Sequence, residues 1–205
     1  MKTTFSEIIS EVLKAEGGYV DDPDDKGGAT NYGVTQATFS AFVGRDVGKD
    51  EIRDMQEGDA IECYEEMFWK KSKLDQFVDG LKHIYFDMVV NNGGRNAGKI
   101  IQRSVNTKKN SNILAVDGIV GSGTLAQVDS IIIDDVLVER GMFFANNCFD
   151  GSRYDQRTSQ NKFLRGWMFH RVFHFLTYPL KAIIQQKDEK IEELENRIQE
   201  LEEAA

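Results

Sequence analysis

The chain has 205 residues, 40% of them hydrophobic and 29% charged, which suits one sizeable packed domain with an appendage and excludes global disorder. Two prolines exclude a proline-rich or collagen-like scaffold, and a formal charge of −9 leaves no excess cation with which to bind a nucleic-acid backbone. The two cysteines, Cys63 and Cys148, are too few for a disulfide framework and lack metal-ligand spacing.

From the N-terminus, Phe5, Ile8, Ile9, Val12 and Leu13 recur at helical spacing and predict an amphipathic helix. Thr4-Phe5-Ser6-Glu7 fits a capping box at its start, and Gly17-Gly18 marks its end, so Glu16 falls on the last turn. Glu7 precedes any apolar run, so no signal peptide is expected and the chain is expected to remain in a cytoplasm until released. Residues 19–36 are turn-rich, with room for a short hairpin.

Ile61, Tyr64 and Phe68 then share one face of a helical segment from Asp59 to Lys71. Leu81, Ile84, Tyr85, Met88 and Val89 form another stripe, stopped by Asn92-Gly93-Gly94. Ile100, Ile101, Ser104 and Val105 continue the helical pattern. Val116-Asp117-Gly118-Ile119-Val120-Gly121 reads as a tight turn, followed by helical stretches at 131–147 and 160–176. The most apolar run, Gly166 to Ile184, is interrupted by His170, Arg171, His174 and Lys181, so no stable membrane insertion is expected. The fold class is mostly α with a small loop or β element.

The tail differs in kind. Leu180, Ile184, Ile191, Leu194, Ile198, Leu201 and Ala205 follow a heptad seam with isoleucine at a and leucine at d, interrupted by Lys187. Lys190 and Arg197 at g would face Glu195 and Glu202 at a partner's e positions. Two readings stay open, a homodimer through this coiled coil and a single solvated acidic helix.

Chemistry concentrates between Glu16 and Thr35, where five acids fall between Glu16 and Asp25. An EF-hand fails here, because counting from Asp22 the twelfth position is Gly33, where a bidentate Glu is required. A solvated acidic loop is one reading; a carboxylate pair for glycosidic cleavage is another, needing one protonated acid and one ionised partner. Glu16 at a helix C-terminus faces the negative end of the macrodipole, which disfavours ionisation by about 0.3–1 kcal/mol, so burial beside Val12 and Leu13 must add to it. Asp25, in a glycine-flanked polar loop, would stay ionised.

The run Glu16-Gly17-Gly18-Tyr19, followed by Asp22-Pro23 and by Asp25-Lys26-Gly27-Gly28-Ala29-Thr30-Asn31-Tyr32-Gly33, resembles the N-terminal signature of glycoside hydrolase family 108. These are N-acetylmuramidases of phage endolysins and lysozyme-like bacterial proteins. Tyr64-Glu65-Glu66-Met67-Phe68-Trp69 and Asp87-Met88-Val89-Val90-Asn91-Asn92-Gly93 are similar to later family landmarks. The Val116–Gly121 turn with Thr124-Leu125, and Phe163-Leu164-Arg165-Gly166-Trp167, resemble the family's C-terminal peptidoglycan-binding-type helical module.

The resemblance implies a lysozyme-like helical catalytic region at 1–95, a helical module at 96–178 and, outside its reach, the acidic coiled-coil tail at 179–205. By position Glu16 matches the family's essential glutamate, the general acid, and Asp25 with Thr30 matches the pair that holds the attacking water. Four residues separate Asp25 from Thr30 where phage lysozymes usually have five, so Asp22 and Asp24 stay open as alternatives to Asp25. Asn31, Tyr32, Tyr64, Asp87 and Asn91 are the candidate substrate contacts; aromatic residues at helical spacing are more often core, and for Asp87 and Asn91 periodicity leaves a polar face or capping network equally open.

The implied partner is bacterial peptidoglycan and the implied reaction is hydrolysis of its β-1,4 bond between N-acetylmuramic acid and N-acetylglucosamine, with inversion and without a cofactor. His170 and His174 share helical spacing but lack the Glu of a zinc helix and a third ligand, so no metal is expected. Two rival readings remain at this stage. One is a non-catalytic peptidoglycan-binding or secretion-assisting protein; the other is a lytic transglycosylase, which leaves an anhydro product.

Overall fold

A computed structural model describes residues 3–15, 18–21, 28–148 and 168–173. The heptad tail lies outside them. The chain divides into two compact units, Met1–Ile132 and Ile133–Ala205.

The first unit begins with α1 (Phe5–Ala15). Its capping box forms as the sequence predicts: Thr4 N–H donates to Glu7 at 2.9 Å, and the Thr4 hydroxyl accepts from Glu7 N–H at 3.4 Å. Ile8 and Ile9 are buried. A small antiparallel sheet follows, β1 (Thr30–Asn31) and β2 (Val34–Thr35), with Thr30 opposite Thr35 and Asn31 opposite Val34. Thr35 then caps α2 (Gln36–Val43), its hydroxyl accepting from Thr38 N–H at 3.2 Å. α3 (Lys49–Arg53) and α4 (Glu57–Tyr64) come next, and α4 widens into a π-helical turn over Glu65–Lys70.

α5 (Asp79–Asn92) carries the centre of the core. Leu81, Ile84, Tyr85, Phe86, Met88 and Val89 are buried along it. Phe5 from α1, Trp69 from the π turn and Tyr64 from α4 close on Phe86, with ring centroids 6.2, 5.9 and 6.1 Å away. Trp69 is therefore a core residue; its indole N–H donates to Asp75 at 2.9 Å. The buried Lys82 ammonium is held by the Asp79 carboxylate at 2.7 Å and the Thr3 carbonyl at 3.2 Å, which fastens the start of the chain to α5.

α6 (Gly94–Lys109) packs on α5 and begins two residues before the 95/96 boundary read from the sequence; the first unit continues past it to Ile132. The tight turn at 116–121 is clasped to α6 by Gln102, which is buried. The Gln102 amide donates to Asp117 at 2.8 Å and to the Ile119 carbonyl at 3.1 Å, and its oxygen accepts from Gly118 N–H at 2.8 Å. Short α7 (Ser122–Leu125) follows.

The second unit, taken by itself, shows α8 (Ile133–Cys148) and a π-helical turn at Met168–Phe173. The fully buried Arg140 donates to the Arg171 carbonyl at 2.8 Å, and its guanidinium lies 5.5 Å from the centre of the Phe144 ring. The described chain is mostly helical with one small sheet, a lysozyme-like mostly-α fold.

Candidate active site

The hairpin organises the region that the acidic loop enters and leaves. A two-residue loop, Tyr32-Gly33, joins the strands, and both residues have positive φ, 49° and 74°, the mark of a type I′ turn. Gly33 takes that backbone without steric cost; a residue with a Cβ held there carries about 1–3 kcal/mol of strain. Tyr32 is held nonetheless. The Asn31 side-chain oxygen accepts its N–H at 3.1 Å, and the buried Tyr64 hydroxyl donates to its carbonyl at 3.2 Å.

Asn31 also ties the hairpin to α3. Its amide nitrogen donates to the carbonyls of Ile52 at 3.0 Å and Arg53 at 3.2 Å, supplying the last turn of that short helix with donors. Asn31 is 6% exposed and Tyr64 1%, so both polar groups are engaged inside the protein. In the described structure these contacts give both side chains a framing role between the hairpin, α3 and α4.

Thr30 sits at the middle of three adjacent backbones. It pairs with Thr35 on one side, and on the other it exchanges two hydrogen bonds of 2.8 Å with Val20. Its hydroxyl, part-buried, lies 3.5 Å from the Gly28 carbonyl, at the outer limit of a hydrogen bond. The strand that carries Thr30 is thus fixed while its side chain makes only a weak internal contact.

The segment 18–21 is fastened as well. Lys49 on α3 grips both oxygens of Asp21, at 2.8 and 2.9 Å, and the Arg53 guanidinium lies 5.1 Å from the centre of the Tyr19 ring. The hydrogen bond to Asp21 raises the basicity of Lys49. Asp21, one described end of the acidic stretch, is therefore pinned to α3, while Gly28 at the other end receives the weak contact from Thr30. Glu16, Asp22, Asp24 and Asp25 lie outside the described residues.

On α5, Asp87 is half-buried and Asn91 exposed. The Asn91 amide donates to the Asp87 carbonyl at 2.9 Å and to its carboxylate at 3.1 Å, so the two side chains act as one polar unit on that helix. Sequence reading did not single out Lys49, Arg53 or Tyr19 as holding the loop. Asp21 and Lys49 are 28 positions apart, and no periodicity links them.

Among the described residues no group of three or more His, Cys, Asp or Glu side chains could hold a metal ion. The side chains of His170 and His174 fall outside them. No helix among the described residues is long and apolar enough to cross a membrane.

The sequence profile of glycosyl hydrolase 108 matches residues 9–93, which spans α1, the hairpin and α5. Among solved structures, Brucella abortus SagA is 31% identical, with a TM-score of 0.68 over 86% of this chain and 94% of that one. The chain belongs to glycosyl hydrolase family 108. It is a glycoside hydrolase by that membership, and the hairpin, α3, α4 and α5 described above form the body of its hydrolase region. A search of curated protein sequences returns no match to the chain.

Proposed function

We propose that this family 108 member is a muramidase that hydrolyses the β-1,4 bond between N-acetylmuramic acid and N-acetylglucosamine in bacterial peptidoglycan. Family membership carries the reading, and the braced hairpin supports it by presenting Thr30 on a strand hydrogen-bonded on both edges. Glu16 is the general acid that protonates the leaving glycosidic oxygen. Asp25 and the Thr30 hydroxyl hold the water that attacks the anomeric carbon from the opposite face. Tyr32, Asp87 and Asn91 contact the glycan, while Asn31 and Tyr64 hold the frame.

A water-mediated displacement inverts the anomeric centre and needs the two carboxyl groups roughly 6.5–9.5 Å apart. The biological setting that fits is an endolysin, retained in the host cytoplasm until release and then acting on the wall. Its regions are a catalytic part at 1–95, a helical wall-binding-type module at 96–178 and a tail at 179–205 that pairs with a second copy.

Muropeptide end groups and anomeric configuration test the reaction. Proton NMR of freshly released product should show a reducing muramic acid end formed with inversion. An anhydro end would make the enzyme a lytic transglycosylase, and net retention would remove the water-holding role of Asp25 and Thr30.

A further inference from the structure

The hairpin holds a feature that the turn itself does not need. A type I′ turn is served best by Asn, Asp or Gly at its first central position, since these reach positive φ cheaply. Here that position is Tyr32, at φ 49°. Strain of this kind persists where the surroundings over-determine it, and it concentrates where a site needs a fixed geometry. Two neighbours over-determine Tyr32, Asn31 on its N–H and Tyr64 on its carbonyl.

Tyr64 reaches this carbonyl from a different element. Its ring is buried on α4 and lies 6.1 Å from Phe86 and 5.6 Å from Phe68. The hydroxyl therefore reports the position of the aromatic core to the hairpin. Tyr32 is two residues from Thr30, and a two-residue loop leaves no slack between the strands it joins. Among the described residues the Tyr32 hydroxyl itself makes no hydrogen bond, so what holds this residue is its backbone.

We propose that Tyr64 is a positioning residue of the hydrolytic site: its hydroxyl locks Tyr32 in the left-handed backbone and so fixes the strand that presents Thr30. This rests on the muramidase reading for its kinetic consequence and on the hairpin alone for its structural one. Loss of the lock leaves the hairpin formed but lets the turn relax, which displaces the Thr30 hydroxyl from the attacking water. Displacements of this size act on turnover more than on glycan affinity.

The test combines Tyr64→Phe, which deletes only the hydroxyl, with Tyr32→Gly, which removes the need for the lock because glycine accepts positive φ. Peptidoglycan hydrolysis is measured for the wild type, both single variants and the double variant, together with the backbone amide resonances of residues 30–35. Tyr64→Phe should lower kcat about tenfold with KM little changed, and should shift the amides of residues 32 and 33. Made in the Tyr32→Gly background, the same substitution should change kcat by less than about twofold.

Wild-type kcat and unshifted amides in Tyr64→Phe would overturn the proposal. An equal loss in both backgrounds would also overturn it, since the effect would not run through Tyr32. A wild type that releases no product rejects the muramidase reading instead, and the amide shifts then decide the lock on their own.

Discussion

Asn31 shows how one side chain can serve three partners. Its oxygen takes the Tyr32 N–H and its nitrogen serves two carbonyls at the end of α3, all in a position 6% exposed. Replacing it with alanine leaves the buried Ile52 carbonyl to backbone donors, the Met55 N–H at 3.4 Å among them, and removes the side-chain partner of the Arg53 carbonyl and the Tyr32 N–H. Asn31→Ala should lower the unfolding free energy by about 2–4 kcal/mol, read from the urea midpoint at unchanged slope. A loss below about 0.5 kcal/mol would show that the hairpin and α3 do not depend on each other. Buried Cys63 makes a simpler case, with burial pushing its thiol up to about 11, in keeping with an inert core residue.

Among the elements, the 116–121 turn has the most closely fitted seat. Gln102 clasps it to α6 within the first unit. The approach is close enough to require glycine on both sides. A Cβ at Gly98 would meet the Gly118 carbonyl at 2.4 Å, and one at Gly118, where φ is +82°, would meet the Arg95 carbonyl at 2.3 Å. Gly118→Ala combines a left-handed backbone with overpacking and should destabilise the protein by about 3 kcal/mol, measured by denaturant titration. A neutral result would mean that the turn is not seated on α6.

The sequence was legible where one apolar stripe faced one core. α1, with its Thr4–Glu7 box, and α5, with its run from Leu81 to Val89, show the helical period and fold accordingly. α2 and α3 escaped because their pattern is weak: α2 has no buried side chain, and α3 spans five residues. The hairpin was foreseen in outline, but its turn was not, since Tyr32 stands where turn chemistry asks for Asn or Gly. Of the candidate site, the signature that carries Glu16, Asp25 and Thr30 was readable as a family resemblance. The Asp21–Lys49 pair, the Asn31 amide and the Tyr64 hydroxyl were not, because each joins positions far apart in the chain.

At the scale of the whole molecule, a net charge of −9 sets the response to acid. Several carboxyl groups titrate below their ordinary values: Glu7 through the Thr4 amide, Asp79 through Lys82, and Asp117 through the Ile119 amide. Glu51 is held at about 2 by the Arg45 guanidinium. A carboxylate with a depressed folded value binds its proton more readily when unfolded, so its stabilisation is complete above the unfolded pKa of about 4 and is lost as pH falls through the folded one. The urea midpoint should stay flat from about pH 7 to pH 5 and decline below about pH 4, with a smaller decline in Glu51→Gln. A midpoint independent of pH over that range would show that these contacts do not form in solution.

The central claim is that this family 108 chain cuts peptidoglycan with Glu16 as its acid, and mass spectrometry of muropeptides released from purified peptidoglycan tests it most directly. The account predicts fragments with reducing muramic acid ends from the wild type and none from a folded Glu16→Gln variant. Equal release by both would remove Glu16 from the reaction, and no release by the wild type, with the protein retained on the same peptidoglycan, would make it a binding protein that keeps the hydrolase fold.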